Sequence, residues 1–114
     1  LIYMETIRQP TFKEKKLLKF LMKKASMNVD SSSINNLLVC PMKDGGMGSL
    51  CLYPNGKIIK DRKFGCEASN IHFYDTDGVY VIASLYLDED GNVFEIDVWK
   101  VNNEKLISLP NLVV

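Results

Sequence analysis

Glu95 and Asp97 stand two residues apart in Phe94-Glu95-Ile96-Asp97-Val98-Trp99. On a strand that spacing puts both carboxylates on one face, roughly 6–7 Å apart. Paired carboxylates can serve acid–base or glycosidase-type chemistry. Acids at i and i+2 are also common on solvated strands, and the pair reads as surface charge before it reads as a dyad. His72 is the sole histidine, which excludes a His-rich metal site. Pairing it with Cys66 as base and nucleophile lacks a third, orienting group. Asp44-Gly45-Gly46-Met47-Gly48-Ser49 resembles a phosphate loop only in its glycines. Phosphate cradles feed a helix N-terminus and carry Gly-Lys-Ser/Thr, whereas this segment feeds an apolar, strand-like run. It reads as a tight hairpin turn, with Gly48 explained by close backbone packing. Cys40, Cys51 and Cys66 are odd in number and lack metal or redox spacing, as expected of buried or half-buried thiols in a reducing cytoplasm. No residue set reads as catalytic, and no cofactor or metal is implied. The expectation is a binding protein, not an enzyme.

Charge is sorted along the chain. In residues 1–26, seven Lys or Arg stand against Glu5 and Glu14; in residues 65–104, nine Asp or Glu stand against Lys100 alone. The formal net charge is +0, yet such sorting predicts a polarised surface that steers charged partners. The 114 residues, 46% hydrophobic and 25% charged, predict one globular domain over 1–114, with flexible ends at 1–10 and 111–114. No apolar run approaches the ~20 residues of a membrane span. No leader pattern opens the chain, and Met4 is a candidate start. A cytoplasmic protein is expected.

One helix is predicted, over residues 11–26. Thr11 and Glu14 form a capping box, and Leu17, Leu18, Leu21, Met22 and Ala25 make one buried face. Lys13, Lys16, Lys19, Lys23 and Lys24 lie mainly away from it, as a solvated polar face. Residues 27–35 read as a loop. Strands follow at Asn36–Met42 and Met47–Tyr53, joined as a hairpin. Ile58–Arg62 is expected as a short edge strand, followed by Ile71–Tyr74, Val79–Leu87 and Val93–Val101. A three-residue Thr76-Asp77-Gly78 loop with Gly78 left-handed sets Phe73 opposite Val81 and Ile71 opposite Ala83. A two-residue Asp90-Gly91 loop sets Glu89 opposite Asn92, Leu87 opposite Phe94, Leu85 opposite Ile96 and Ala83 opposite Val98. Burial chooses this register, because it gathers the apolar residues on one face. The fold expected is α+β: an N-terminal amphipathic helix on one face of a mainly antiparallel, roughly five-stranded sheet.

The same register gives the opposite face Tyr74 beside Tyr80, His72 beside Ile82, Ile82 beside Trp99, Ser84 beside Asp97 and Tyr86 beside Glu95. Tyr and Trp supply stiff contact area, and acidic neighbours select basic partners. The plainer expectation is a sheet back covered by the 37–53 hairpin or the tail at 106–114, above all at Ile82 and Trp99. The candidate partner-binding residues are Tyr80, Tyr86, Glu95, Asp97 and Trp99, with Asp88, Glu89 and Asp90 at the hairpin tip.

Four blocks carry a family resemblance: Arg8-Gln9-Pro10-Thr11; Leu37 through Leu50 with its Pro-Met-Lys-Asp-Gly-Gly-Met-Gly-Ser centre; Thr76-Asp77-Gly78-Val79; and Leu87 through Val101 with Phe-Glu-Ile-Asp-Val-Trp-Lys-Val. Together they resemble a small bacterial domain family of unknown function. Some of its members look like immunity proteins of contact-dependent growth-inhibition toxin systems. The resemblance supplies no catalytic residues. It implies a cytoplasmic immunity protein, with no membrane partner, that covers the functional surface of a cognate toxin domain. The acidic face adds the expectation that this surface is basic, as a nuclease's is. The alternatives are a nucleic-acid-binding module using the Lys-rich helix, the less favoured partner, and a small-ligand-binding domain.

Overall fold

The computed structural model describes residues 6–29 and 32–113. Helix α1 (Phe12–Lys24) starts at the capping box: the Thr11 hydroxyl accepts from the Glu14 N–H, and the Glu14 carboxylate accepts from the Thr11 N–H. Arg8 grips the same carboxylate through both guanidinium nitrogens, at 2.7 and 3.0 Å. The helix ends short of residue 26 because Ser26 is left-handed (φ 59°). That turn lets the Ser26 and Met27 N–H groups close on the Lys23 and Met22 carbonyls, satisfying acceptors that the last turn leaves open. Leu17, Leu18, Leu21 and Met22 are buried, each fully buried leucine being worth about 1.5–3 kcal/mol.

A four-residue helix, α2 (Ser32–Asn35), stands inside the segment expected as loop. Five strands follow: β1 (Leu38–Pro41), β2 (Leu50–Tyr53), β3 (Phe64–Tyr74), β4 (Tyr80–Asp88) and β5 (Val93–Lys100), with a 3-10 turn at Pro54–Gly56. They form one antiparallel sheet in the order β1-β2-β5-β4-β3. The α1 leucines meet Val39, Leu50, Leu52, Val81, Ala83, Leu85, Ile96 and Val98 from the sheet's inward face. The fold is α+β, one main helix on a five-stranded antiparallel sheet.

The β3–β4 register is as read: Phe73 faces Val81, Ile71 faces Ala83, and Gly78 has φ 80°. Three expectations are corrected. Ile58–Arg62 is not a strand; it is an irregular loop that carries the chain past the β4–β5 hairpin. β3 starts at Phe64, not Ile71, with irregularities around Gly65 and Ala68. At Gly65 a Cβ would meet the Asp88 carbonyl oxygen at 2.3 Å, so only glycine allows this approach. The β4–β5 turn is also not a two-residue loop. Asp88 pairs with Asn92 through the backbone, and its carboxylate accepts the Asp90 and Asn92 N–H groups. The extra residue is absorbed by a bulge, so Leu87 faces Val93, not Phe94. Val93 turns into the core and Phe94 lies under Arg62.

The tail does not cover the sheet back. Leu106, Leu109 and Leu112 pack against the core, and Lys13 on α1 donates to the Ser108 hydroxyl, which places the tail beside the helix. Arg8, in the stretch expected to be a flexible end, exchanges both backbone hydrogen bonds with Val39. Residues 1–5, 30, 31 and 114 lie outside the described residues. Among the described residues no helix is long and apolar enough to cross a membrane.

Candidate protein-binding face

With α1 and the tail on one side, the outward face of the sheet carries no helix among the described residues. Register alone decides what it presents. Leu50 beside Ile96 points inward, so Cys51 beside Glu95 points outward. Glu95 in turn faces Tyr86, and Tyr86 faces Glu67. One step along, Asp97 faces Ser84 and Ser84 faces Asn70; one further, Trp99 faces Ile82 and Ile82 faces His72.

Tyr86 is therefore ringed by carboxylates. Burial first, then the negative charges of Asp97, Glu67 and Glu95, push its hydroxyl above the usual tyrosine value. Glu95 is pushed up by burial and by Asp97, with Arg62 opposing weakly. Asp97 is pushed up by burial and by Asp44, against a hydrogen bond from Ser49. Neither Glu95 nor Asp97 forms an ion pair with a described residue. Among the described residues these half-buried anions stand close together without an ion-pair partner, Arg62 offsetting only part of the charge at Glu95. A cation brought to this face gains from every one of them.

The other end of the face is aromatic. Tyr80 sits 5.4 Å from the rings of both His72 and Tyr74, and its hydroxyl bonds His72 Nδ1. Trp99 is 45% exposed, with its indole N–H on Asn103 Oδ1 at 3.0 Å. The expectation of a covered Trp99 is thus overturned. Toward the β4–β5 hairpin, Phe64 meets Tyr86 edge-on at 5.2 Å.

Other predicted site residues sit elsewhere. Glu89 and Asp90 are exposed at the hairpin tip. Asp88 is buried, caps its own turn and pairs with Arg62 at 2.9 Å; it is structural, not a contact carboxylate. Burial pushes it up, yet the Asn92 N–H and Arg62 hold it below the usual value. Asp75 leaves the acidic surface by burial with Lys100, and Asp77, still exposed, is offset by the same lysine. That side chain is 1% exposed and reaches Asp75 at 2.8 Å and Asp77 at 2.6 Å. Asp75 further accepts the Ile107 and Ser108 N–H groups, which ties the tail to the β3–β4 turn. Sequence reading missed this cluster because Lys100 continues the inward alternation of Ile96 and Val98, a signal that a charged residue type obscures.

Cys66 and His72 are six residues apart on one strand, roughly 20 Å by strand rise, so they do not meet. Cys66 is exposed, not buried as expected; Cys40 and Cys51 are partly buried. Burial and the nearby Glu95 charge push the Cys51 thiol up, away from reactivity. In the glycine-rich loop, Asp44 accepts the Met47 and Ser49 N–H groups, and the Gly46 carbonyl accepts from Leu106. Gly46 is left-handed at φ 82°, and a Cβ there would strike the Lys105 stem at 2.9 Å. The loop holds the tail and presents no anion cradle.

A family model for a domain of unknown function matches residues 7–110, from just before the Arg8 bridge to the docked tail. The chain belongs to the DUF6984 family. No curated protein matches it, and no solved structure does. The match takes in both layers of the DUF6984 domain, including every strand of the outward face.

Proposed function

We propose that this DUF6984 chain is a bacterial immunity protein acting in the cytoplasm. It binds a cognate toxin domain, a nuclease, through the outward face of its sheet and shields the toxin's cationic substrate-binding surface. The observation that carries the reading is Tyr86 ringed by Glu67, Glu95 and Asp97, on a face without a covering helix, the last two lacking any ion-pair partner among the described residues. Nucleases grip phosphates with Lys and Arg, so this ring competes for the patch that holds substrate. Trp99, Tyr80 and Tyr74 supply stiff contact area beside it. A stable complex would bury roughly 800 Å² on each side, within reach of one open sheet face.

The test uses the C-terminal domain of the polypeptide encoded immediately upstream, inactivated for purification. Co-purification with this chain, and rescue of cells expressing the active domain, are the expected results. Replacing Glu95 and Asp97 together by Lys should weaken binding about 100-fold and abolish rescue with the fold intact. Rescue that survives this double replacement overturns the assignment of the face.

A further inference from the structure

Loop 57–63 turns two adjacent branched side chains to water, Ile58 at 51% and Ile59 at 58% exposure, between the exposed Lys57, Lys60 and Lys63. The loop is nonetheless firmly held. Arg62 donates to Asp88 at 2.9 Å, to the Leu52 carbonyl at 2.7 Å and to the Val93 carbonyl at 2.6 Å. Its guanidinium lies 5.0 Å from the Phe94 ring centre. The Glu89 N–H closes on the Lys63 carbonyl, and Asp61 holds a left-handed φ of 66°, uncommon outside glycine. Part-buried bonds at Arg62 and Lys63 thus anchor the end of a segment whose largest apolar groups stay off the core. Such a segment loses little freedom on docking. It also runs straight into Phe64, 56% exposed and edge-on to Tyr86, so it adjoins the carboxylate ring.

We propose that the Ile58–Ile59 knuckle is a second anchor of the toxin-binding surface, seated in an apolar pocket of the toxin whose acidic rim faces Lys57, Lys60 and Lys63. The inference rests on the immunity reading. It adds that the partner's surface is bipartite, cationic opposite Glu95 and Asp97 and apolar with carboxylates opposite the loop.

The test measures association and dissociation rates against the inactivated upstream-encoded domain at two salt concentrations. Replacing Ile58 and Ile59 together by Ser, both being exposed, should leave thermal stability unchanged and raise the dissociation rate about tenfold or more. The association rate and its salt dependence should stay as in the wild type, and Ile59→Val should restore slow dissociation. An unchanged dissociation rate, with binding still lost on replacing Glu95 and Asp97 by Lys, overturns the knuckle and leaves the immunity reading standing. No binding by the wild-type chain overturns both. A concentration-dependent dimer that the Ser variant dissolves would make the occupant a second copy, and that too overturns the proposal.

Discussion

At Glu95 and Asp97 the sign of the pKa shift separates a binding role from a structural one. Burial raises both above their ordinary values, so the folded state holds their protons more tightly than the unfolded state does. Folding is then opposed by these groups above the folded values, and the opposition fades as pH falls below the ordinary carboxylate values. Glu95→Gln with Asp97→Asn should therefore match or exceed the wild-type melting temperature at pH 7. The difference should close near pH 3, as followed by circular dichroism. A clear loss of stability at pH 7 would reveal a cationic partner within the chain and remove the pair from the interface. Residue type and alternation made Glu95, Asp97 and Trp99 legible in the sequence. Asp88 and Asp75 were misread as surface charge, and Asp77 as unpaired, because composition shows a charge but not the cation folded against it.

Two ion clusters pin the sheet at its opposite ends. Arg62 and Asp88 lock the 57–63 loop to the β4–β5 hairpin, and Lys100 with Asp75 and Asp77 locks the tail to the β3–β4 turn. Lys100→Met leaves Asp75 buried without its cation, which should lower the melting temperature by roughly 10 °C or more. Amide exchange at Ile107 and Ser108 should speed up in that variant, whereas a purely local packing defect would spare the tail. Despite burial, the Ile107 N–H and Lys100 hold Asp75 well below its ordinary value, and Lys100 holds Asp77 down directly. The stability they supply is present above the ordinary carboxylate value and is lost as pH falls through the folded values. The melting temperature should decline below about pH 4, and Asp75→Asn should flatten that decline. Elements defined by periodicity and by turns came through from sequence: the Thr11 capping box, and the Gly78 turn that registers β3 on β4. What escaped was what tertiary contacts decide. β3 extends back to Phe64 because β4 pairs with it, and the Asp88 carboxylate adds the bulge that hides Val93. Ile58–Arg62 has strand-like residues, but Arg62 is drawn into carbonyls beyond its own ladder.

Across the whole molecule the charge sorting becomes a layering. Lys16, Lys19 and Lys23 belong to the helix layer, while Glu67, Glu95 and Asp97 stand on the far face of the sheet. The layers are opposite in sign, so the net charge of +0 hides a dipole across the sheet. A dipole of this kind orients an approaching cationic protein toward the carboxylate ring before contact, and salt shortens its reach to about 10 Å at 0.1 M. Association with the upstream-encoded domain should therefore slow by about tenfold between 50 and 500 mM salt, with dissociation changing far less. Replacing Lys16, Lys19 and Lys23 by Ser should not slow it, since they lie behind the approaching partner. It should speed it slightly, by removing repulsion. A nucleic-acid-binding module predicts the reverse. RNA or DNA affinity would fall steeply with salt and collapse on losing those lysines, while Glu95 and Asp97 replacements would leave it unharmed. Stopped-flow rates for the two sets of variants at both salt concentrations decide which face meets the partner.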